Sequence, residues 1–225
     1  MPKPLNIALI GPYGAGKGTQ AARMVPKMGL AHISTGDLFR EHLKKQTELG
    51  RLIQKNLDAG ELVPDSVTDA TMEEWLRIAD ARKGILFDGF PRTLKQAQFL
   101  EELFAEINRR LDAVIYLKAS DEEVVQRLAE RKVCQNCHLP FHATFSPFAE
   151  CPYGQCQGEH LRQREDDAPD KVRVRLQVYH QETEPLVGYY KDAEKLITID
   201  ASRPIDQVHN AIFQTVLSRV GSKDD

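Results

Sequence analysis

The 225-residue chain has no apolar run approaching the roughly 18–20 residues of a membrane span, and its start, Met1-Pro2-Lys3-Pro4, does not lead into a signal-peptide core. A cytoplasmic chain with no membrane partner is expected. It also lacks a basic excess: 30 Lys and Arg stand against 33 Asp and Glu, for a net charge of −3 at pH 7. That balance gives dedicated nucleic-acid binding no electrostatic support, so recognition of any phosphate falls to local arginines. No internal repeat is present, which excludes a repeat architecture, and no low-complexity tract exceeds the polar tail 221–225. Aromatic residues are only 7 %, with one tryptophan, Trp75, which reads as packing rather than as a base stacker. The length suffices for a full core in one or two domains.

What is present starts with Gly11-Pro12-Tyr13-Gly14-Ala15-Gly16-Lys17-Gly18-Thr19-Gln20, joining an apolar run at 5–10 to the start of a helix. This is the layout of a phosphate-binding loop. Glycines let backbone N–H groups curl around a polyphosphate, the helix N-terminus adds partial positive charge, and Lys17 neutralises the outer phosphates. A nucleoside triphosphate is the expected ligand. Gly18 stands where the general pattern has Ser or Thr, and the hydroxyl comes one residue later at Thr19.

Short apolar runs at 5–10, 31–33, 85–87, 113–117 and 196–199 are too brief for helices and read as five buried parallel strands. Amphipathic stretches at 94–108 and 121–130 lie between them, the second opened by Ser120 with Glu123 three residues on, a capping box. Such crossovers give a parallel sheet covered on both faces, with ligands at the carboxyl ends of its strands. The loop and the segment Asp88-Gly89-Phe90-Pro91-Arg92 both follow strands, so both should face one crevice. Two regions break the alternation. Residues 34–63 are mainly helical, with Gly50 and Gly60 as stops and a Ser66 cap after Pro64; residues 130–167 hold all four cysteines and many turn residues.

Cys134, Cys137, Cys151 and Cys156 are spaced C-x2-C-x13-C-x4-C. In a reducing compartment this favours a four-thiolate structural metal site over disulfides, with zinc the default metal. A site in which His138, His142 or His160 replaces a cysteine stays open, as does a segment without metal. Four protein ligands leave no open position, so the metal would stabilise the fold rather than catalyse.

Arginines are the next signal, because phosphoryl transfer asks mainly for positioning and cationic stabilisation. Planar guanidinium forks suit that task. The candidates are Arg40, Arg92, Arg127, Arg131, Arg164 and Arg175. Arg127 and Arg131, four apart, are expected on one helix face, and Arg164 and Arg175 bracket the return path from the cysteine segment.

The ordered motifs GPYGAGKGTQ (11–20), STGDLFR (34–40), GELV (60–63), DGFPRTLKQ (88–96), RLAER (127–131) and REDD (164–167) make the chain resemble the adenylate kinases, in the long form whose lid carries a structural zinc. The resemblance covers about residues 5–220. It implies an α/β fold with a P-loop NTPase-type five-stranded parallel sheet flanked by helices. The core would be 1–33, 64–129 and 168–225, with an AMP-binding insertion at 34–63 and a lid at 130–167. The implied activity is reversible phosphoryl transfer from Mg-ATP to AMP, giving two ADP, in a monomer.

By the same resemblance, Gly14, Ala15, Gly16, Lys17, Gly18 and Thr19 hold the ATP phosphates, while Arg127, Pro140, Phe141 and Arg203 complete the ATP site. Thr35, Arg40, Glu61, Leu62, Val63, Gly89, Phe90, Pro91, Arg92 and Gln96 line the AMP site, which Arg164 and Arg175 also reach. Lys17, Arg92, Arg131, Arg164 and Arg175 act on the transferring phosphoryl group, and Asp88 binds Mg²⁺ through water. Gln96 also fits a capping box with Thr93, and Asp37 stands in the same relation to Ser34.

Three departures from the family pattern stand out. Tyr13 occupies a loop position that is usually proline, the cysteine spacing differs from the usual x2, x16, x2, and one extra residue near His160 precedes Arg164. Two rival readings remain. A kinase of UMP, CMP or GMP is disfavoured by Thr35, Thr93, Gln96 and the long lid. A zinc-ribbon nucleic-acid protein is disfavoured by Glu150, Glu159 and Asp166, which dilute the basic charge of the cysteine segment.

Overall fold

A computed structural model describes residues 4–80, 82–136, 139–151, 154 and 156–221. Strand β1 (Asn6–Ile10) is buried along its whole length and leads through the glycine loop into α1 (Lys17–Met28), which stops at Gly29. After β2 (Ala31–Ser34) come α2 (Thr35–Lys44), α3 (Glu48–Ala59) and α4 (Asp65–Ile78). Then follow β3 (Ile85–Asp88), α5 (Leu94–Glu106), β4 (Ala113–Lys118) and α6 (Asp121–Ala129). Three short strands come next: β5 (Arg131–Cys134), β6 (Pro140–His142) and β7 (Leu161–Arg162). Helix α7 (Pro169–Val178) passes through a wide π turn at Tyr179–Thr183 into α8 (Pro185–Asp192). Strand β8 (Leu196–Asp200) and helix α9 (Ile205–Gly221) complete the described chain.

The main sheet has five parallel strands in the order β2-β3-β1-β4-β8. All five expected strands are present, because strands buried on both faces read as unbroken apolar runs. Side chains alternate across the sheet. Ile7, Leu9, Leu86, Ile115 and Leu117 pack with α1 and α9, and Ala8, Ile10, Ile85, Phe87 and Val114 pack with residues of α4, α5 and α8. Trp75 is partly buried against this second layer, as packing. Three smaller clusters lie apart from these layers: Phe39, Ile53 and Val63 around α2 and α3; Cys134, Cys151 and Cys156 with Phe141, Phe148 and Leu161; and Val124, Leu128, Val172 and Leu176 with Tyr13.

Three local readings are corrected. Gly50 does not stop a helix; it is buried inside α3, where a Cβ would stand 2.4 Å from the carbonyl oxygen of His42 in α2. The break falls earlier, where Gln46 takes a φ of 51° and the Thr47 side chain accepts the backbone N–H of Gly50. Ser66 is not a cap, since α4 begins at Asp65 directly after Pro64. Arg127 and Arg131 do not share a helix face: α6 ends at Ala129, and Arg131 opens β5. The capping box at Ser120 and Glu123 is formed as expected.

Candidate active site

The glycine loop sits at the carboxyl end of β1, the central strand of the sheet. Gly14 and Gly16 take positive φ angles of 82° and 96°, and a Cβ on Gly14 would lie 3.0 Å from the Leu128 side chain, so the tight curl against α6 needs glycine. The Lys17 ammonium donates to the carbonyls of Gly11 at 2.7 Å and Pro12 at 2.8 Å, which fold it into the loop. Burial pulls its pKa from 10.5 down to about 7; Asp88 opposes that shift, and Arg92, Arg175 and Arg131 add to it. An arriving polyphosphate supplies the negative charge that this site lacks. His32 reaches Asp88, with 3.9 Å between Nε2 and Oδ2.

On one side of the loop, β2 and β3 deliver the second set of groups. The Ser34 side chain caps α2 by accepting the backbone N–H of Asp37, and Thr35 donates its hydroxyl to the Gly89 carbonyl at 2.9 Å. Arg40 pairs with Asp37. The Arg92 guanidinium donates to the same Gly89 carbonyl at 2.8 Å and to the Tyr13 hydroxyl at 2.5 Å. Gln96 does not complete a capping box. Its backbone N–H reaches the Thr93 hydroxyl, but its side-chain oxygen accepts from the Arg92 N–H at 2.7 Å and its nitrogen donates to Asp65 at 2.7 Å. Thr93 also donates to Asp65, at 3.1 Å. Asp65 thus anchors this wall, and no sequence motif marked it.

Opposite stands a block of arginines and aspartates. Arg131 makes a two-pronged pair with Asp167 at 2.8 and 2.6 Å, and Arg164 makes one with Asp166 at 2.9 and 2.6 Å. Arg175 donates to the Asp166 carbonyl at 2.8 Å and lies 3.2 Å from its carboxylate. Burial pushes the Asp166 carboxyl up, but Arg164 and Arg175 outweigh it and hold the group well below the usual carboxylate range. Three guanidinium groups against two carboxylates leave a net positive wall. Arg40 faces it across the cleft, and its pKa is lowered by burial and by Arg164.

At the far end, the Arg127 guanidinium donates to the Ala201 carbonyl at 2.6 Å and lies 5.8 Å from the centre of the Phe145 ring. Phe145 is 49 % exposed and faces the cleft together with Pro140, Phe141 and His142. Arg203 pairs with Asp200 at 3.2 Å. At that distance the guanidinium and the ring are in cation–π contact with each other, and together they border the end of the cleft as flat groups against which a base can stack. Phe145 was not among the expected site residues; an exposed aromatic three residues beyond β6 was the available signal.

The loop and the arginines of these walls open on one cleft of about 1640 Å³, well beyond the roughly 300–1,000 Å³ of a single-ligand pocket. It is lined by residues 14–19, Thr35, Arg40, Glu61, Leu62, Val63, Asp88, Gly89, Arg92, Gln96, Arg127, Arg131, Pro140, Phe141, Arg164, Arg175 and Arg203. Phe90 and Pro91 do not line it. Phe90 is fully buried, tilted against Phe87 with ring centres 6.1 Å apart, because an apolar ring between β3 and α5 gains more in the core than at a wet cleft.

The described cysteines do not line the cleft, although Phe141, which packs on them, does. Cys134, Cys151 and Cys156 share one buried cluster, with 3.4 Å between the sulfurs of Cys134 and Cys156. Among the described residues, no three His, Cys, Asp or Glu side chains are gathered in metal-holding geometry. Cys137 and His138 lie outside the described residues. His142 faces the cleft, and His160 pairs with Glu159 at 3.2 Å. No described helix is long and apolar enough to cross a membrane.

The adenylate kinase family model matches residues 9–195. Over 207 residues the chain is 48 % identical to an adenylate kinase of Streptomyces coelicolor, covering 91 % of this chain and 94 % of that one. It is 44 % identical over 214 residues to one from Symbiobacterium thermophilum, covering 94 % and 98 %. To one from Archaeoglobus fulgidus it is 43 % identical over 221 residues, covering 97 % and 100 %.

Proposed function

The chain belongs to the adenylate kinase family, and from that premise we propose that it moves the terminal phosphoryl group of Mg-ATP reversibly to AMP, giving two ADP, with Lys17, Arg92, Arg131, Arg164 and Arg175 carrying the transfer. The observation that supports these roles most is the convergence of a glycine loop and guanidinium groups from four separate segments on one cleft large enough for two nucleotides. ATP lies with its phosphates on residues 14–19 and its base against Arg127, Pro140 and Phe141, beside Phe145. AMP lies among Thr35, Arg40, Glu61, Leu62, Val63, Gly89 and Gln96, its phosphate on Arg92. An AMP phosphate oxygen attacks the γ-phosphorus in line, and the bond from that phosphorus to the β-bridging oxygen breaks, leaving ADP on each side. Developing charge on the equatorial oxygens is met by Lys17 and the arginines. Mg²⁺ arrives with ATP and supplies further neutralisation; Asp88, at the end of β3, would hold it through water. Residues 34–63 and 130–167 close over the two nucleotides and keep water from accepting the phosphoryl group.

Structural zinc is part of the same proposal. Cys134, Cys137, Cys151 and Cys156 would hold it as four thiolates, supported by the shared burial of the three described cysteines and the closeness of two sulfurs. The site is complete within one chain, which supports a monomer, and a cytoplasmic setting suits reduced thiols.

The test is ADP formation with Mg-ATP and, in turn, AMP, UMP, CMP and GMP. ADP formed with AMP alone is the expected outcome. Turnover with another acceptor would keep the mechanism and overturn the assignment of the acceptor pocket, and silence with all four would overturn the function.

A further inference from the structure

Tyr13 lies where the glycine loop meets both arginine walls. Its ring packs against the cluster of Val124, Leu128, Val172 and Leu176, which fixes it between α6 and α7. The Arg175 guanidinium lies 3.8 Å from the ring centre, and the Arg92 guanidinium lies 5.1 Å from it while donating to the Tyr13 hydroxyl at 2.5 Å. One side chain therefore touches a guanidinium from the β3–α5 segment and another from α7.

The two arginines differ in their remaining partners. Arg175 stands beside Asp166 and Asp167, at 3.2 and 3.6 Å. Arg92 forms no ion pair among the described residues; its guanidinium donates to the Gly89 carbonyl and to Tyr13. A carboxylate in place of the phenol would orient Arg92 equally well but would cancel the charge that a phosphate dianion needs. A neutral hydroxyl orients the group and leaves its charge in force. The aromatic face holds Arg175 without adding a further negative charge to those of Asp166 and Asp167, since its attraction for a cation needs none.

We propose that Tyr13 is a positioning residue for phosphoryl transfer, whose hydroxyl sets Arg92 toward the acceptor phosphate and whose ring seats Arg175 against the phosphate loop. This rests on the AMP-kinase reading of the same cleft. The two contacts separate experimentally. Tyr13→Phe removes the hydroxyl and keeps the ring, and Tyr13→Leu removes both.

Steady-state rates with AMP and Mg-ATP varied in turn decide it. For Tyr13→Phe the KM for AMP is expected to rise about tenfold or more, the loss of one hydrogen bond to a charged group, with kcat, the KM for ATP and the melting curve close to wild type. Tyr13→Leu is expected to add a fall in kcat of about tenfold. An unchanged KM for AMP in Tyr13→Phe, or equal shifts in both KM values, would overturn the role of the hydroxyl. A Tyr13→Leu enzyme with the kcat of Tyr13→Phe would overturn the role of the ring. Wild-type protein that forms no ADP from AMP removes the functional reading and this inference together, whereas active wild type beside an unaltered Tyr13→Phe removes only the inference.

Discussion

Lys17 shows how a single residue trades stability for chemistry. The unfolded chain holds its proton up to about pH 10.5, the folded loop only up to about 7. Between those values the unfolded state carries the extra proton, so stability rises with pH across that window, and below pH 7 the penalty is fully present. Lys17→Met removes the penalty. Its melting temperature, without nucleotide, is expected to exceed that of wild type, by more at pH 7 than at pH 9.5, while turnover falls about 10²–10³-fold or more. A gain of equal size at both pH values would show that the buried charge is not its source. The lysine was legible in sequence because its spacing to the glycines is local. The contacts of Tyr13 with Arg92 and Arg175 were not, since 79 residues separate the first pair and no motif joins them.

At the scale of elements, α2 and α3 depend on a glycine that looked like a terminator. Alanine is the better helix former by about 1 kcal/mol. At Gly50 that gain meets a Cβ 2.4 Å from the His42 carbonyl oxygen, and backbone cannot rotate aside as a side chain can. Gly50→Ala is expected to lower unfolding stability by about 1–2 kcal/mol, seen as an earlier midpoint in urea; a later midpoint would show that the two helices have room to spare. Glycine in a buried helix contact and glycine past a helix end look alike in sequence, and only the partner helix tells them apart. The five long strands were legible because each is a continuous apolar run. Strands β5, β6 and β7 were not, since two to four half-buried residues among prolines and histidines carry no period-two signal. The stretch 121–130 matches α6 to within a residue, but Arg131, which fits the helical spacing after Arg127, instead opens β5, where it pairs with His142 of β6.

For the whole molecule, the question is how two large sheet-bound layers coexist with small satellite clusters. Ile7, Leu9 and their neighbours form cores that stand without help. The cysteine cluster has few apolar partners, namely Phe141, Phe148 and Leu161, so bound metal would supply much of its folding energy. Treatment with a strong chelator is expected to lower the melting temperature more than it lowers activity in the cold. Coincident melting curves with and without chelator would count against a structural metal. Activity lost in step with the metal would place it in the chemistry instead.

The bond between Arg131 and Asp167 also bears on how this chain can change. It joins two residues 36 positions apart in sequence at a separation of 2.6 Å, with the Asp167 side chain wholly buried. The bond ties the start of β5 to the residues just before α7. Closing such a loop costs entropy that grows only with the logarithm of its length, so doubling it adds about 0.6 kcal/mol. Added length there costs little in closure entropy so long as that bond holds, provided it spares Pro140, Phe141, Phe145 and Arg164, which line the cleft. A surface turn of this stretch that lines no part of the cleft is therefore where an engineer could graft in a foreign hairpin.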